Sequence, residues 1–225
     1  MLLREEGDAA ICIGQPAHAW LSGQMARAWR DVEPWEEVCL AAEQHDIGMA
    51  DWDADPELNP ETGRPYSFME MRLPTHLALW SAAPARLLPQ SRYAAMLVSM
   101  HGTALYERRD LDRLAADDAS LVREYLDSQR ALQEALIESL GADREQVRRN
   151  QQLLWRWDSL SLALCLRWDQ SAIDEQLEPW PFREPRVTLR TEGRRLEGRF
   201  DDEDAMRSAL AAAPWVELRF ELERR

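Results

Sequence analysis

The placement of histidine is the feature that most restricts what this chain can fold into. The 225 residues contain only four histidines. Each one falls in, or at the edge of, a different predicted helix: His18, His45, His76 and His101. Two aspartates accompany them, because Asp46 directly follows His45 and Asp158 lies among apolar residues of a late predicted helix. A carboxylate is costly to bury without a partner, so the pattern favours a shared site inside a helical bundle.

Helical patterns fill the middle of the chain. Pro16 opens the first helix, which runs to about Arg30, and Pro34 opens a second helix that ends near Gly48. Four more long helices are predicted at 75–88, 91–106, 120–140 and 143–169. Between the second and third helices, residues 48–73 contain three prolines, two glycines and many acids, so we predict a long irregular loop there.

The two ends of the chain have β patterns instead. LLREE and AAICI flank Gly7 and Asp8 and predict an N-terminal hairpin. In the tail, PRVTLRT and RLEGRF around Glu192 and Gly193 predict a second hairpin, which a short helix and a last strand follow. An isolated hairpin is marginally stable at best, so we predict that the two ends pair into one small sheet.

The predicted fold class is therefore mainly α, a helical bundle with a small β-sheet formed from the N-terminal hairpin and the C-terminal β-rich tail. Residues 1–15 form the hairpin, which packs on the main domain. Residues 16–177 form the helical metal-binding domain, and residues 178–225 form a β-rich extension of the same unit. This extension contains no histidine or cysteine, so we expect no catalytic role for it.

Composition limits the class of partner. The chain has 27 basic and 41 acidic residues and a net charge of −14, which disfavours nucleic acid but leaves a small phosphate ligand open. The N-terminal segment has no long apolar stretch, so we expect neither a signal peptide nor a membrane helix. Cys12, Cys39 and Cys165 lack metal-ligand spacing and are expected to be buried free thiols, which suits a cytoplasmic location.

The tetrapeptide HDIG at 45–48, with further histidines on both sides, resembles the HD superfamily of metal-dependent phosphohydrolases. In that superfamily the order is one His, the His-Asp pair, two more His in two-metal members, and a distant Asp on a late helix. This chain fills the same order with six residues: His18, His45, Asp46, His76, His101 and Asp158. The resemblance covers roughly residues 16–170 and implies an HD-domain-like helical bundle with one or two divalent transition metals.

The resemblance also implies how the ligands divide. A first ion is expected on His18, His45, Asp46 and Asp158, and a second on Asp46, His76 and His101. Imidazole and carboxylate suit Zn, Mn, Fe and Ni, so the sequence does not select the metal. Asp169, on the same predicted helix, is the alternative to Asp158; we prefer Asp158 because it lies further from the helix end.

The chain departs from the family pattern after the motif. Many members have Lys there, whereas this chain has Met49 and contains no Lys at all. Arg27, Arg72 and Arg108 lie near the histidines along the chain and are candidates for that phosphate contact, although a plain surface position is the more frequent situation for Arg. In the predicted loop, Trp52, Tyr66 and Glu70 are candidates to reach the mouth of the site, with simple packing as the alternative.

The function expected from these residues is hydrolysis of a small phosphorylated metabolite or nucleotide by a metal-activated water, with His45 and Asp46 as the catalytic pair. Two alternatives stay open. One is a di-iron oxygenase of the HD type that acts on a phosphonate or a polyol. The other is a non-enzymatic module that binds metal or nucleotide and signals through the tail. The expected partner is a small molecule, with neither nucleic acid nor membrane.

Overall fold

The computed structural model describes residues 1–224, with the side chain of Ala172 excepted. It confirms a mainly α fold. The helices are α1 (Gln15–Ala28), α2 (Trp35–Gln44), α3 (Ala50–Ala54), α4 (Leu73–Leu87), α5 (Arg92–Glu107), α6 (Ala116–Leu140), α7 (Arg144–Leu166), α8 (Gln170–Gln176) and α9 (Glu203–Ala212). The strands are β1 (Leu2–Glu6), β2 (Ala9–Ile13), β3 (Leu58–Asn59), β4 (Arg64–Pro65), β5 (Arg186–Glu197) and β6 (Trp215–Glu223).

The ends of the long helices follow from local sequence. The Ser91 side chain accepts a hydrogen bond from the backbone of Ala94 and so caps α5. Asp143 caps α7 in the same way. Gly141 ends α6 with a φ of 58°, in the left-handed region that glycine adopts without strain. The long helices predicted from the sequence are therefore present, with their ends shifted by a few residues.

The segment predicted as a long loop has more structure than expected. The chain turns through a short 3-10 helix at Ile47–Met49 and continues directly into α3. The two-residue strands β3 and β4 then form a small hairpin, and a second 3-10 turn at Phe68–Glu70 precedes α4. The prolines and glycines of this segment thus separate several short elements, and the prediction of one irregular loop was wrong in that respect.

The two ends of the chain meet in one antiparallel sheet of order β1-β2-β5-β6, which confirms the predicted pairing. The hairpin predicted at Glu192 and Gly193 was wrong, because both residues lie inside the continuous strand β5. A Cβ atom on Gly193 would lie 2.7 Å from Cγ2 of Ile11 on β2, so this glycine allows close strand approach and does not form a turn. The chain reverses later, through α9.

Packing between α1, α2, α5 and α7 forms the core of the bundle. α1 and α2 approach closely because residue 23 is glycine; a Cβ atom there would lie 2.7 Å from the Cβ of Glu43. Gly48 of the HDIG motif does the same against α4, where a Cβ atom would lie 2.5 Å from the carbonyl oxygen of Leu79. Among the helices of residues 1–224, none combines the length and the apolar character that a membrane span needs.

Candidate metal centre

Four elements of the bundle bring histidine and aspartate side chains to one buried point. α1 contributes His18, and the end of α2 contributes His45 and Asp46. α5 contributes His101, and α7 contributes Asp158. All five side chains are buried. The HDIG motif ends a helix at this point, so the turn after α2 directs two neighbouring residues into the same space.

The distances within this cluster are short. His18 Nε2 lies 2.6 Å from Asp46 Oδ2, and His45 Nε2 lies 3.6 Å from the same oxygen. Asp158 faces the group from the other side, with Oδ1 3.4 Å from His45 Nε2 and Oδ2 3.5 Å from His101 Nε2. The ring centres of His18 and His101 each lie 5.0 Å from that of His45. His45 is therefore the central residue of the cluster.

The tautomer of His45 follows from its backbone contact. Nδ1 lies 2.9 Å from the carbonyl oxygen of Ala42, which can only accept, so Nδ1 carries a proton and donates it. Nε2 is buried, points toward the two carboxylates and has no hydrogen-bond partner among residues 1–224. Metal-binding histidines usually donate their second ring N–H to a carbonyl or a carboxylate in this way. His45 Nε2 is thus the ring atom that would face an ion bound between the two carboxylates.

His18 is oriented by a serine that sequence reasoning did not select. The Ser161 hydroxyl donates to the carbonyl oxygen of Asp158 at 2.8 Å, which leaves its oxygen to accept from His18 Nδ1 at 2.7 Å. His18 Nε2 then faces Asp46. Ser161 lies one helical turn after Asp158 on α7, and this spacing places both side chains on one face. That spacing is the signal by which the sequence could have identified Ser161.

The opposite charges within the cluster stabilise each other. Burial opposes a positive His45, but Asp46 and Asp158 outweigh burial and raise the pKa of His45 to about 9. Burial likewise opposes the charge on Asp46, and His45 and His18 overcome it and hold the pKa of Asp46 below its usual range. His101 and His45 do the same for the pKa of Asp158. At neutral pH the proton on His45 thus balances part of the negative charge that a metal cation would balance.

The donor set fits a divalent transition metal. His18, His45 and Asp158 each offer one ligand atom, and these three atoms lie within 4.8 Å of one another. Two ligand atoms bound at about 2.1 Å to one ion lie at most about 4.2 Å apart, so a small contraction of the cluster is sufficient. Asp46 borders the same space through Oδ2. The group could hold a metal ion, and its nitrogens and oxygens suit several transition metals equally.

His76, the sixth predicted ligand, lies in a different environment. Its Nε2 accepts a hydrogen bond from the Trp80 indole N–H at 3.0 Å. Its Nδ1 donates to the Tyr106 hydroxyl oxygen. Burial lowers the pKa of His76 to about 4, so the ring is neutral at ordinary pH. His76 would have to release Trp80 before Nε2 could bind an ion, and a role as ligand to a second metal stays a prediction.

The choice between the two late aspartates is clear from their positions. Asp158 is buried in the cluster, whereas Asp169 lies beyond the end of α7 and caps α8 by accepting from the backbone N–H of Ser171.

The three cysteines are buried and free, as expected from the sequence. Burial raises the pKa of Cys12 and of Cys165 to about 12, so both thiols are protonated at neutral pH.

The segment after the motif lines a cavity of about 350 Å³ that adjoins the His76 end of α4. Trp52, Tyr66 and Glu70 line it, together with Thr75, the residue before His76. Glu70 is also part of a capping box with Ser67, so its side chain stabilises the 3-10 turn. The two aromatic rings therefore offer the cavity an apolar wall.

The three arginines that the sequence offers for a phosphate contact differ in their surroundings. Met49, the residue that follows the HDIG motif, is buried in the core. Arg27 forms an ion pair with Glu43, and the exposed Arg72 lies 3.7 Å from Glu57. Arg108 differs from both, because its guanidinium lies 4.0 Å from the ring centre of Trp155.

Comparison with known proteins identifies the family of the chain. The family described as "Protein of unknown function (DUF3891)" matches residues 1–198. No curated protein and no solved structure matches the chain. The matched range contains every residue of the cluster and continues to the end of β5. The chain therefore belongs to the DUF3891 family, and the hairpin, the bundle and β5 lie within the matched part.

Proposed function

We propose that this protein is a metal-dependent hydrolase of the HD type that acts on a small phosphorylated metabolite or nucleotide. One observation carries the proposal: five buried ligand side chains from four elements meet around His45 Nε2, which has no hydrogen-bond partner among the described residues. Two buried carboxylates require a positive partner, and a divalent cation bound among the imidazole rings would supply it. The order of the ligands along the chain, which resembles that of HD phosphohydrolases, supports the same reaction.

The residues of the chain divide the work as follows. Ala42 and Ser161 fix the rings of His45 and His18 with Nε2 directed inward. Asp46 and Asp158 supply the negative charge that offsets a divalent cation. A bound ion would polarise a phosphate oxygen and lower the pKa of water to near neutrality. The surrounding helices exclude bulk solvent, which strengthens each of these electrostatic interactions.

We prefer hydrolysis to di-iron oxygenase chemistry because of the contacts that His76 makes. The oxygenase requires a second ion, and His76 is the residue that the sequence offers to it. The bond that His76 Nε2 accepts from Trp80 leaves no lone pair for that ion in the present arrangement. The non-enzymatic alternative is placed last, since a domain that had lost catalysis is not expected to retain so complete a ligand set.

A phosphate-release assay tests the proposal. Protein loaded in turn with Mn²⁺, Fe²⁺, Ni²⁺ or Zn²⁺ is incubated with a panel of sugar phosphates and nucleotides, with and without a chelator. We expect release that depends on metal and disappears in Asp46→Asn. Asp169→Asn is the matched control, because it changes the exposed carboxylate that caps α8. Release that is equal in the wild type and Asp46→Asn would contradict the proposal, and oxygen consumption by the iron form would favour the oxygenase.

A further inference from the structure

Two adjacent arginines directly follow α5, and each packs on an aromatic ring that contacts a histidine. Arg108 lies over the ring of Trp155, and the Trp155 ring centre is 5.6 Å from that of His101. Arg109 lies 4.8 Å from the ring centre of Tyr106, whose hydroxyl group is hydrogen-bonded to His76. Each guanidinium is therefore separated from a histidine by one aromatic ring.

The acids on both sides of this arginine pair are already engaged elsewhere. Glu107 accepts from Arg130 at 2.9 Å, and Asp110 lies 3.1 Å from Arg113. Within residues 1–224, neither Arg108 nor Arg109 has an ion pair with an acid or a side-chain hydrogen bond. The acids next to the pair in the chain therefore do not neutralise either guanidinium.

Stacking on a ring leaves the edge of a guanidinium free. Arginine packs its flat face on an aromatic ring and still presents its N–H groups at the edge, where they match phosphate oxygens in pairs. Both arginines are exposed, so their heads remain accessible to a ligand. The rings of Trp155 and Tyr106 hold the two heads near the centre without neutralising them.

We propose that Arg108 and Arg109 form an anion-binding pair that takes the phosphate group of the substrate at the edge of the metal centre. The inference rests on the proposed function and names the part of the molecule that recognises its substrate class. An acidic surface repels a phosphorylated molecule, and an approach to the centre requires a local positive charge. Arg108 and Arg109 supply that charge near His101 and His76.

Calorimetric titration with inorganic phosphate tests the pair directly. The samples are the protein as purified, each single variant Arg108→Gln and Arg109→Gln, and the double variant. Metal per chain is measured on every sample. We expect the double variant to raise the Kd for phosphate at least about tenfold, the loss expected for removed charge-assisted hydrogen bonds. Metal content should stay unchanged, because neither arginine touches a ligand of the centre.

Arg113→Gln is the matched control. It removes the same charge from the same exposed segment, but Arg113 already has Asp110 as its partner. Its Kd for phosphate should equal that of the wild type. The inference is wrong if the double variant and the Arg113→Gln control give the same titration, including the case in which no sample binds phosphate. Binding that needs the metal and not the arginines would overturn this inference alone, whereas absence of metal from the wild type would overturn the proposed function.

Discussion

His45 and His76 are both histidines of the helical bundle, but their surroundings give the two rings opposite properties. His45 donates from Nδ1 to a backbone carbonyl and directs Nε2 at two carboxylates within 3.6 Å. His76 has both nitrogens occupied, by Tyr106 and by Trp80. The pKa is raised to about 9 for His45 and lowered to about 4 for His76. A carboxylate environment thus prepares one ring for a cation, and an aromatic environment keeps the other ring neutral.

This difference shows that the presence of a histidine and the availability of its nitrogen to an ion are separate properties. Histidine in the expected order along the chain is necessary for a metal centre, but the bond made by the second nitrogen decides whether the first is free. Nε2 of His45 and of His18 each face a carboxylate, where an ion could bind, whereas Nε2 of His76 is occupied by its bond with Trp80. Substitutions at these positions should therefore affect metal affinity and stability in different proportions.

The largest effect is expected for His45→Gln. It removes the central donor, so metal affinity should fall more than about 100-fold, beyond the loss seen when only an orienting group is removed. Competition with a chelating dye measures the affinity, and circular dichroism checks that the variant is folded. Retention of wild-type affinity by the folded variant would show that the motif does not bind the ion.

A smaller loss is expected for Ser161→Ala. The hydroxyl touches no ion, but it fixes the ring of His18, so metal affinity should fall about 10-fold. Ser99→Ala is the control, because Ser99 is also buried on a helix and bonds Gln129 away from the centre. If both serine variants lose the same affinity, the effect is a general one of packing and not of His18 orientation.

His76→Gln should change stability more than metal affinity. The Trp80 N–H loses its acceptor and the Tyr106 hydroxyl oxygen loses its donor, which should lower the free energy of unfolding by about 1–3 kcal/mol. Metal affinity should stay within about twofold, since a factor of two is worth well under about 1 kcal/mol. Loss of one ion per chain in this variant would instead identify His76 as a ligand of a second metal and restore the two-ion arrangement.

The smallest effect is expected where the sheet meets the bundle. The Thr191 hydroxyl on β5 donates to the carbonyl oxygen of Ala17 on α1 at 2.7 Å. Thr191→Val keeps the shape and removes the bond, so the free energy of unfolding should fall by about 1 kcal/mol with unchanged metal affinity. Chemical denaturation measures the first quantity. A fall in metal affinity here would mean that the sheet helps to position His18.

The sequence predicts the helical bundle, the joined ends and the five clustered side chains. Asp158 could be chosen over Asp169 because it lies further from the end of the predicted helix. The bonds of His76 could not be predicted, because they depend on how α4 packs against α5. The prediction of a hairpin in the tail was wrong for a related reason. A glycine next to a charged residue predicts a turn, whereas Gly193 lies within β5 and allows β2 to pack closely against it.

The most direct test of the central claim is element analysis of the protein purified without added metal. We expect at least one transition-metal ion per chain in the wild type and none in Asp46→Ala, because Asp46 borders both His18 and His45. Circular dichroism should show both proteins folded. Equal metal content in the wild type and a folded Asp46→Ala variant would contradict the claim that this cluster is a metal centre.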